Sequence, residues 1–71
     1  MRITYDKEVD ALYIRFEEGT VTSTPVGKGI AVDYDAKGQI AGIEILDAMK
    51  RFADASTLKR VTLEEIGLTH P

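Results

Sequence analysis

Apolar and polar positions alternate with period two through the first two-thirds of the chain, the pattern of strands that bury one face. Ile3 and Tyr5 fall on one side of the first run, and Arg2, Thr4 and Asp6 on the other. The polar stretch Lys7-Glu8-Val9-Asp10 interrupts it. Leu12, Ile14 and Phe16 then alternate with Tyr13, Arg15 and Glu17 as far as Glu18-Gly19. Val21 to Thr24 predicts a short strand, and Pro25, which has no N–H for a ladder, puts it at an edge or hands it to a loop. Alternation returns with Ile30, Val32 and Tyr34 against Ala31, Asp33 and Asp35. The cluster Asp35-Ala36-Lys37-Gly38 then turns the chain into the apolar run ending at Leu46.

Parity at this turn constrains the register. If Ile30, Val32 and Tyr34 face the core, they share that face with Ala41, Ile43 and Ile45. A loop of two or four residues allows this, whereas a loop of three slips the pairing by one and flips every side chain. Asp35 to Gly38 suits a four-residue loop built on a type I turn, with Gly38 left-handed. The second face then carries Asp33, Asp35, Ile40, Gly42 and Glu44. After Leu46 the period becomes helical: Asp47 reads as the N-cap, Ala48, Met49, Phe52 and Ala53 form one stripe, and the helix ends near Ser56. Thr62-Leu63-Glu64-Glu65 reads as a capping box for a last turn that carries Ile66 and stops at Gly67, with Thr69-His70-Pro71 frayed. The predicted fold class is α+β, an antiparallel β-meander of about four strands followed by a short C-terminal helix packed on one sheet face. Residues 1–58 make this single domain and residues 59–71 a C-terminal extension with one short helical turn.

Length changes the picture. A chain of 71 residues buries only about 60% of the surface its unfolded form exposes, so its stability is narrow. With no cysteine, disulfides and thiolate metal knuckles are excluded, which leaves self-association or unusually regular packing as added support. Nine Lys and Arg against twelve Asp and Glu give a net charge of −3, the wrong balance for gripping phosphate backbones. No apolar run reaches the length of a membrane span, and the start, Met1 to Asp6, lacks the apolar stretch of a signal peptide. The expectation is a cytoplasmic protein with neither nucleic acid nor membrane as partner.

Candidate chemistry is sparse. Asp33, Asp35, Gly38 and Glu44 match positions 1, 3, 6 and 12 of a calcium loop. Lys37 stands where an oxygen ligand belongs, and both flanks alternate as strands, so the hairpin reading wins. Asp6 and Asp10 bracket the first turn, where aspartates bond local backbone amides. The lone histidine, His70, is penultimate, and Ser23 and Ser56 have no base nearby in sequence, so neither a catalytic pair nor a histidine metal site is expected. Gly27-Lys28-Gly29 is too short for a nucleotide fingerprint. No catalytic, cofactor-binding or metal-ligating residue is assigned. The candidate interaction surface is Tyr13 and Arg15 on one side and Asp33, Ile40 and Glu44 on another: a tyrosine beside an arginine makes an interface anchor, and an acidic pair beside an isoleucine makes a partly apolar contact patch.

Three stretches together carry a family resemblance. They are Tyr5-Asp6 with Asp10-Ala11-Leu12-Tyr13-Ile14, then Val32-Asp33-Tyr34-Asp35 with Gly38, then Gly42-Ile43-Glu44-Ile45-Leu46-Asp47-Ala48. This pattern resembles the small prokaryotic proteins of domain of unknown function family 2283, over roughly residues 1–50. Met49 stands where the family often has serine. The resemblance implies a small β-rich fold and self-association, and it brings no assigned activity. The functional expectation is a non-enzymatic interaction module, homodimeric or a higher homo-oligomer, that takes no cofactor. The alternatives are an acidic partner that neutralises a small basic toxin encoded nearby, and a metal-binding or enzymatic domain.

Overall fold

The computed structural model describes residues 1–54 and 56–65. Five strands form one antiparallel sheet: β1 (Arg2–Asp6), β2 (Ala11–Arg15), β3 (Thr22–Gly27), β4 (Ile30–Tyr34) and β5 (Ile40–Leu46), in spatial order β1-β2-β5-β4-β3. A four-residue helix, α1 (Ala48–Arg51), and a single 3-10 turn, Thr57–Lys59, follow. The protein is therefore mostly β, with five strands rather than four, and the order is not a meander. Pro25 lies in β3 opposite Ala31, and its missing donor confines β3 to a sheet edge. β4 pairs with β3 on one side and β5 on the other. The free side of β5, the strand with apolar residues on both faces, is then taken by β2.

The hairpin between β4 and β5 corrects the expected four-residue loop. The Asp35 amide donates to the Gln39 carbonyl at 2.9 Å, and the Gly38 amide to the Asp35 carbonyl at 3.0 Å. The loop is thus Ala36 to Gly38, with Gly38 left-handed at φ 79°. Three residues give the wrong parity, and a bulge repairs it. Tyr34 lies opposite Ile40 but Asp33 lies opposite Gly42, so Ala41 has no opposite number on β4. Its carbonyl accepts the Phe16 amide at 2.8 Å instead. Val32 then faces Ile43 and Ile30 faces Ile45, the sharing of faces that burial demands.

One face, called here the front, carries Ile3, Tyr5, Leu12, Ile14, Ile30, Val32, Ile43 and Ile45; the back carries Arg2, Thr4, Asp6, Tyr13, Arg15, Ser23, Asp33, Gly42 and Glu44. Buried apolar residues are Ala11, Leu12, Ala41 and Ala48, and no large side chain among the described residues is fully buried.

Helix α1 is shorter than its stripe predicts, ending at Arg51 with Phe52 extended. Asp47 does not cap it: that residue is left-handed at φ 53° and its side chain makes no cap hydrogen bond. The cap comes from Asp10, far away in sequence. Its carbonyl accepts the Ala48 amide at 3.0 Å and its Oδ1 accepts the Met49 amide at 2.9 Å. Arg51 fixes the other side, its Nε donating to the Leu46 carbonyl at 2.8 Å and its Nη2 to the Lys28 carbonyl. The helix is thereby pinned to the end of the sheet. Val61 to Glu65 form no helical turn, so the described part of the predicted capping box is not helical. Ile66, Gly67 and the terminal Thr69-His70-Pro71 lie outside the described residues.

Candidate functional site

The strand order brings together residues that the sequence separated. Tyr13 on β2 lies opposite Glu44 on β5, Arg15 lies opposite Gly42, and Gly42 in turn lies opposite Asp33 on β4. Tyr13, Arg15, Asp33 and Glu44 therefore belong to one back-face patch rather than two. Ile40 is out of step: the bulge sets it opposite Tyr34, and it is 55% exposed. Ser23 was missed by local reading because its partners come from the strands beside the edge. It stands opposite Asp33, with its Oγ 2.5 Å from Asp33 Oδ1 and 2.7 Å from Glu44 Oε2. Asp33 is 4% exposed. Gly42 makes the room, since a Cβ there would lie 3.4 Å from Asp33 Oδ2.

Counting hydrogens decides the chemistry of this cluster. A serine hydroxyl has one proton to donate and cannot satisfy two ionised carboxylates at once. Both contacts become hydrogen bonds when Glu44 is protonated and donates to Ser23, which donates to Asp33. Two carboxyl groups this close favour that singly protonated arrangement over the doubly ionised one. Electrostatics agree: hydrogen bonding with Asp33 raises the Glu44 pKa, and hydrogen bonding with Glu44, then with Ser23, lowers that of Asp33 despite its burial. The Arg15 charge also lowers both. Through Ser23 the cluster ties β3, β4 and β5 together.

The two shifts have opposite consequences for stability. Glu44, raised in the folded state, contributes stability that is lost as pH rises through its folded pKa. Asp33, lowered, contributes stability that is lost as pH falls through its own. The cluster stabilises most between those two ionisations. In Glu44→Gln the side-chain amide donates at every pH, so the alkaline limb disappears. The expected result is a melting temperature a few degrees above wild type at pH 8, with the difference shrinking in mildly acidic buffer. Parallel melts across pH that show no convergence would remove the shared proton from the account.

Other acidic groups serve the frame. Asp35 Oδ1 accepts the amides of Lys37 and Gln39, each at 2.9 Å; these amides, that of Gln39 foremost, lower its pKa, and hydrogen bonding to Asp35 raises that of Glu17. Asp35 is thus committed to its turn and not to a calcium loop with Asp33 and Glu44. Among the described residues no group of three or more His, Cys, Asp or Glu side chains is arranged to hold a metal ion. Asp6 Oδ1 accepts the Glu8 amide at 3.0 Å, as an aspartate at a turn should. Asp10 instead reaches across the fold, where Tyr5 donates its hydroxyl to Oδ1 at 2.7 Å.

The residues forming these devices lie within residues 2–48, which match the family model described as "Protein of unknown function (DUF2283)". The chain belongs to this family. No curated protein and no solved structure matches it. The Gly-Ile-Glu-Ile-Leu block is the last five residues of β5, supplying Gly42 as the gap and Glu44 as a partner of Ser23, and Asp10 and Ala48 are joined as cap and helix start. No helix among the described residues is long and apolar enough to cross a membrane.

Proposed function

We propose that this protein is a non-enzymatic, homo-oligomeric interaction module in which a second copy completes the apolar front of the sheet. The observation that carries this reading is a front that the described residues leave part-exposed: eight apolar or aromatic side chains from four strands share it, yet of these only Leu12 is buried. α1 has four residues, too narrow a lid for five strands. The paired positions of the front carry no charged side chain, so two copies of net charge −3 can meet there without placing like charges in contact.

Ile3, Ile14 and Phe16 line an open hollow on this side together with Met1, Val61, Thr62 and Leu63. Phe16 is 40% exposed and follows the end of β2, so it can be changed without cutting the sheet. Sedimentation at micromolar concentration is expected to show association of the wild type. Phe16→Asp should weaken it at least about tenfold, since burying a phenylalanine is worth about 1.5–3 kcal/mol, with the circular dichroism spectrum retained. A wild-type monomer at every concentration up to the millimolar range overturns the reading.

A further inference from the structure

The two edges of the sheet are not alike. β3 is blunted: it carries Pro25, and its register with β4 shifts between Pro25 and Gly27. Proline and bulges are the devices that keep an edge from pairing with another chain. β1, the opposite edge, has neither. Its five residues Arg2-Ile3-Thr4-Tyr5-Asp6 pair with β2 in unbroken register, and no strand among the described residues pairs with its outer side.

The sequence of this open edge is complementary to itself. When two antiparallel copies of β1 are centred on Thr4, Thr4 meets Thr4, Ile3 meets Tyr5 and Arg2 meets Asp6. Directly opposite residues share a face, so the aliphatic–aromatic pairs extend the front and the opposite charges lie together on the back. Each two-fold contact holds the charge pair twice, as an isologous interface must. Arg2 is free to take part: its side chain is 61% exposed while contacting Glu18 Oε1 at 3.0 Å, and a guanidinium has five donors.

We propose that β1 is an interaction edge whose partner is β1 of a second copy, paired antiparallel about Thr4 into a continuous ten-stranded sheet. This contact uses a different surface from the apolar front and stands or falls separately. With both contacts made about intersecting two-fold axes, the closed assembly has four chains. With the edge alone, it has two.

The chain has no cysteine, so a single introduced one reports the register. In this pairing the Thr4 Cα atoms lie across the two-fold axis within about 5.5 Å, inside disulfide range. The Arg2 Cα atoms lie roughly 14 Å apart at 3.4 Å per residue, well outside it. Thr4→Cys is expected to oxidise to a linked pair at about ten micromolar, and Arg2→Cys to remain reduced under the same conditions. Equal oxidation of both, or none of Thr4→Cys, overturns the proposal.

Charge reversal is the second test. Arg2→Asp and Asp6→Arg, each placing like charges opposite one another twice, should each weaken association about tenfold, and the doubly reversed chain should regain it. Glu18→Gln, which loses the same intrachain pair as Arg2→Asp, should leave association unchanged. Failure of the double reversal to restore it counts against the register. Phe16→Asp reads the front contact independently: if only the front fails, the Arg2 and Asp6 variants convert two chains to one rather than four to two.

Discussion

Replacing Asp10 with alanine is expected to lower the melting temperature on the order of 10 °C, the largest loss from any single acidic residue. Asp10 performs three tasks at one position. Its backbone is left-handed at φ 56°, a conformation that aspartate tolerates and alanine does not. Its carbonyl and its Oδ1 receive the Ala48 and Met49 amides, closing the first turn of α1. The same Oδ1 also takes the Tyr5 hydroxyl from β1. One carboxylate thus joins the first hairpin to the helix. The Met49 amide and then the Tyr5 hydroxyl hold its pKa low, and the same contact raises that of Tyr5. A lowered folded pKa contributes stability above the ordinary aspartate range and loses it as pH falls through the folded value. The deficit of Asp10→Ala should therefore shrink in acid. Asp10→Asn keeps the left-handed backbone and an acceptor, and should lie between alanine and wild type. Thermal melts at neutral and acid pH measure all three; an alanine variant within two or three degrees of wild type at pH 7 refutes the assignment.

Asp10 also shows why some of this molecule was legible in the sequence and some was not. Period-two alternation is a local property, and it located β1, β2, β4, β5 and even the edge character of β3, because the side-chain direction and the proline defect act within a strand. Parity likewise gave the correct face for Val32 and Ile43, although the route there differed: a three-residue loop and a bulge at Ala41 sum to the same parity as the expected four-residue loop. Long-range choices were hidden. Nothing near Asp10 announces Met49 as its partner, so local spacing assigns the cap to Asp47 and extends the helix beyond Arg51. Asp33 and Glu44 could be placed on one face from their spacing alone. Ser23 could not be joined to them until the chain between β2 and β3 was seen to carry β3 to the far edge. The single clue in the sequence was Gly42, a glycine inside an otherwise apolar strand, which signals a close approach to that point.

That close approach sets the last expectation, that Gly42→Ala costs about 2–3 kcal/mol, the upper range for overpacking a well-packed site. A Cβ built on Gly42 would lie 2.7 Å from the Ile14 carbonyl oxygen and 3.4 Å from Asp33 Oδ2. The first contact decides the size of the effect. A side chain can swing aside, but the Ile14 carbonyl belongs to the backbone of β2, so relief requires β2 and β5 to separate where both are central to the sheet. The second contact decides the character of the effect, because a methyl group there crowds the carboxylate that receives the Ser23 proton. Two comparisons separate these parts. Gly27→Ala, where a Cβ would meet nothing within 4 Å, should stay within about 0.5 kcal/mol of wild type. Adding Asp33→Asn to Gly42→Ala should recover little stability, since the clash with the Ile14 carbonyl remains. Denaturant unfolding of the four chains measures both statements. A Gly42→Ala variant no less stable than Gly27→Ala would mean that β2 and β5 are not so closely apposed, and with that the gap through which Asp33 lies between Arg15, Ser23 and Glu44 would go too.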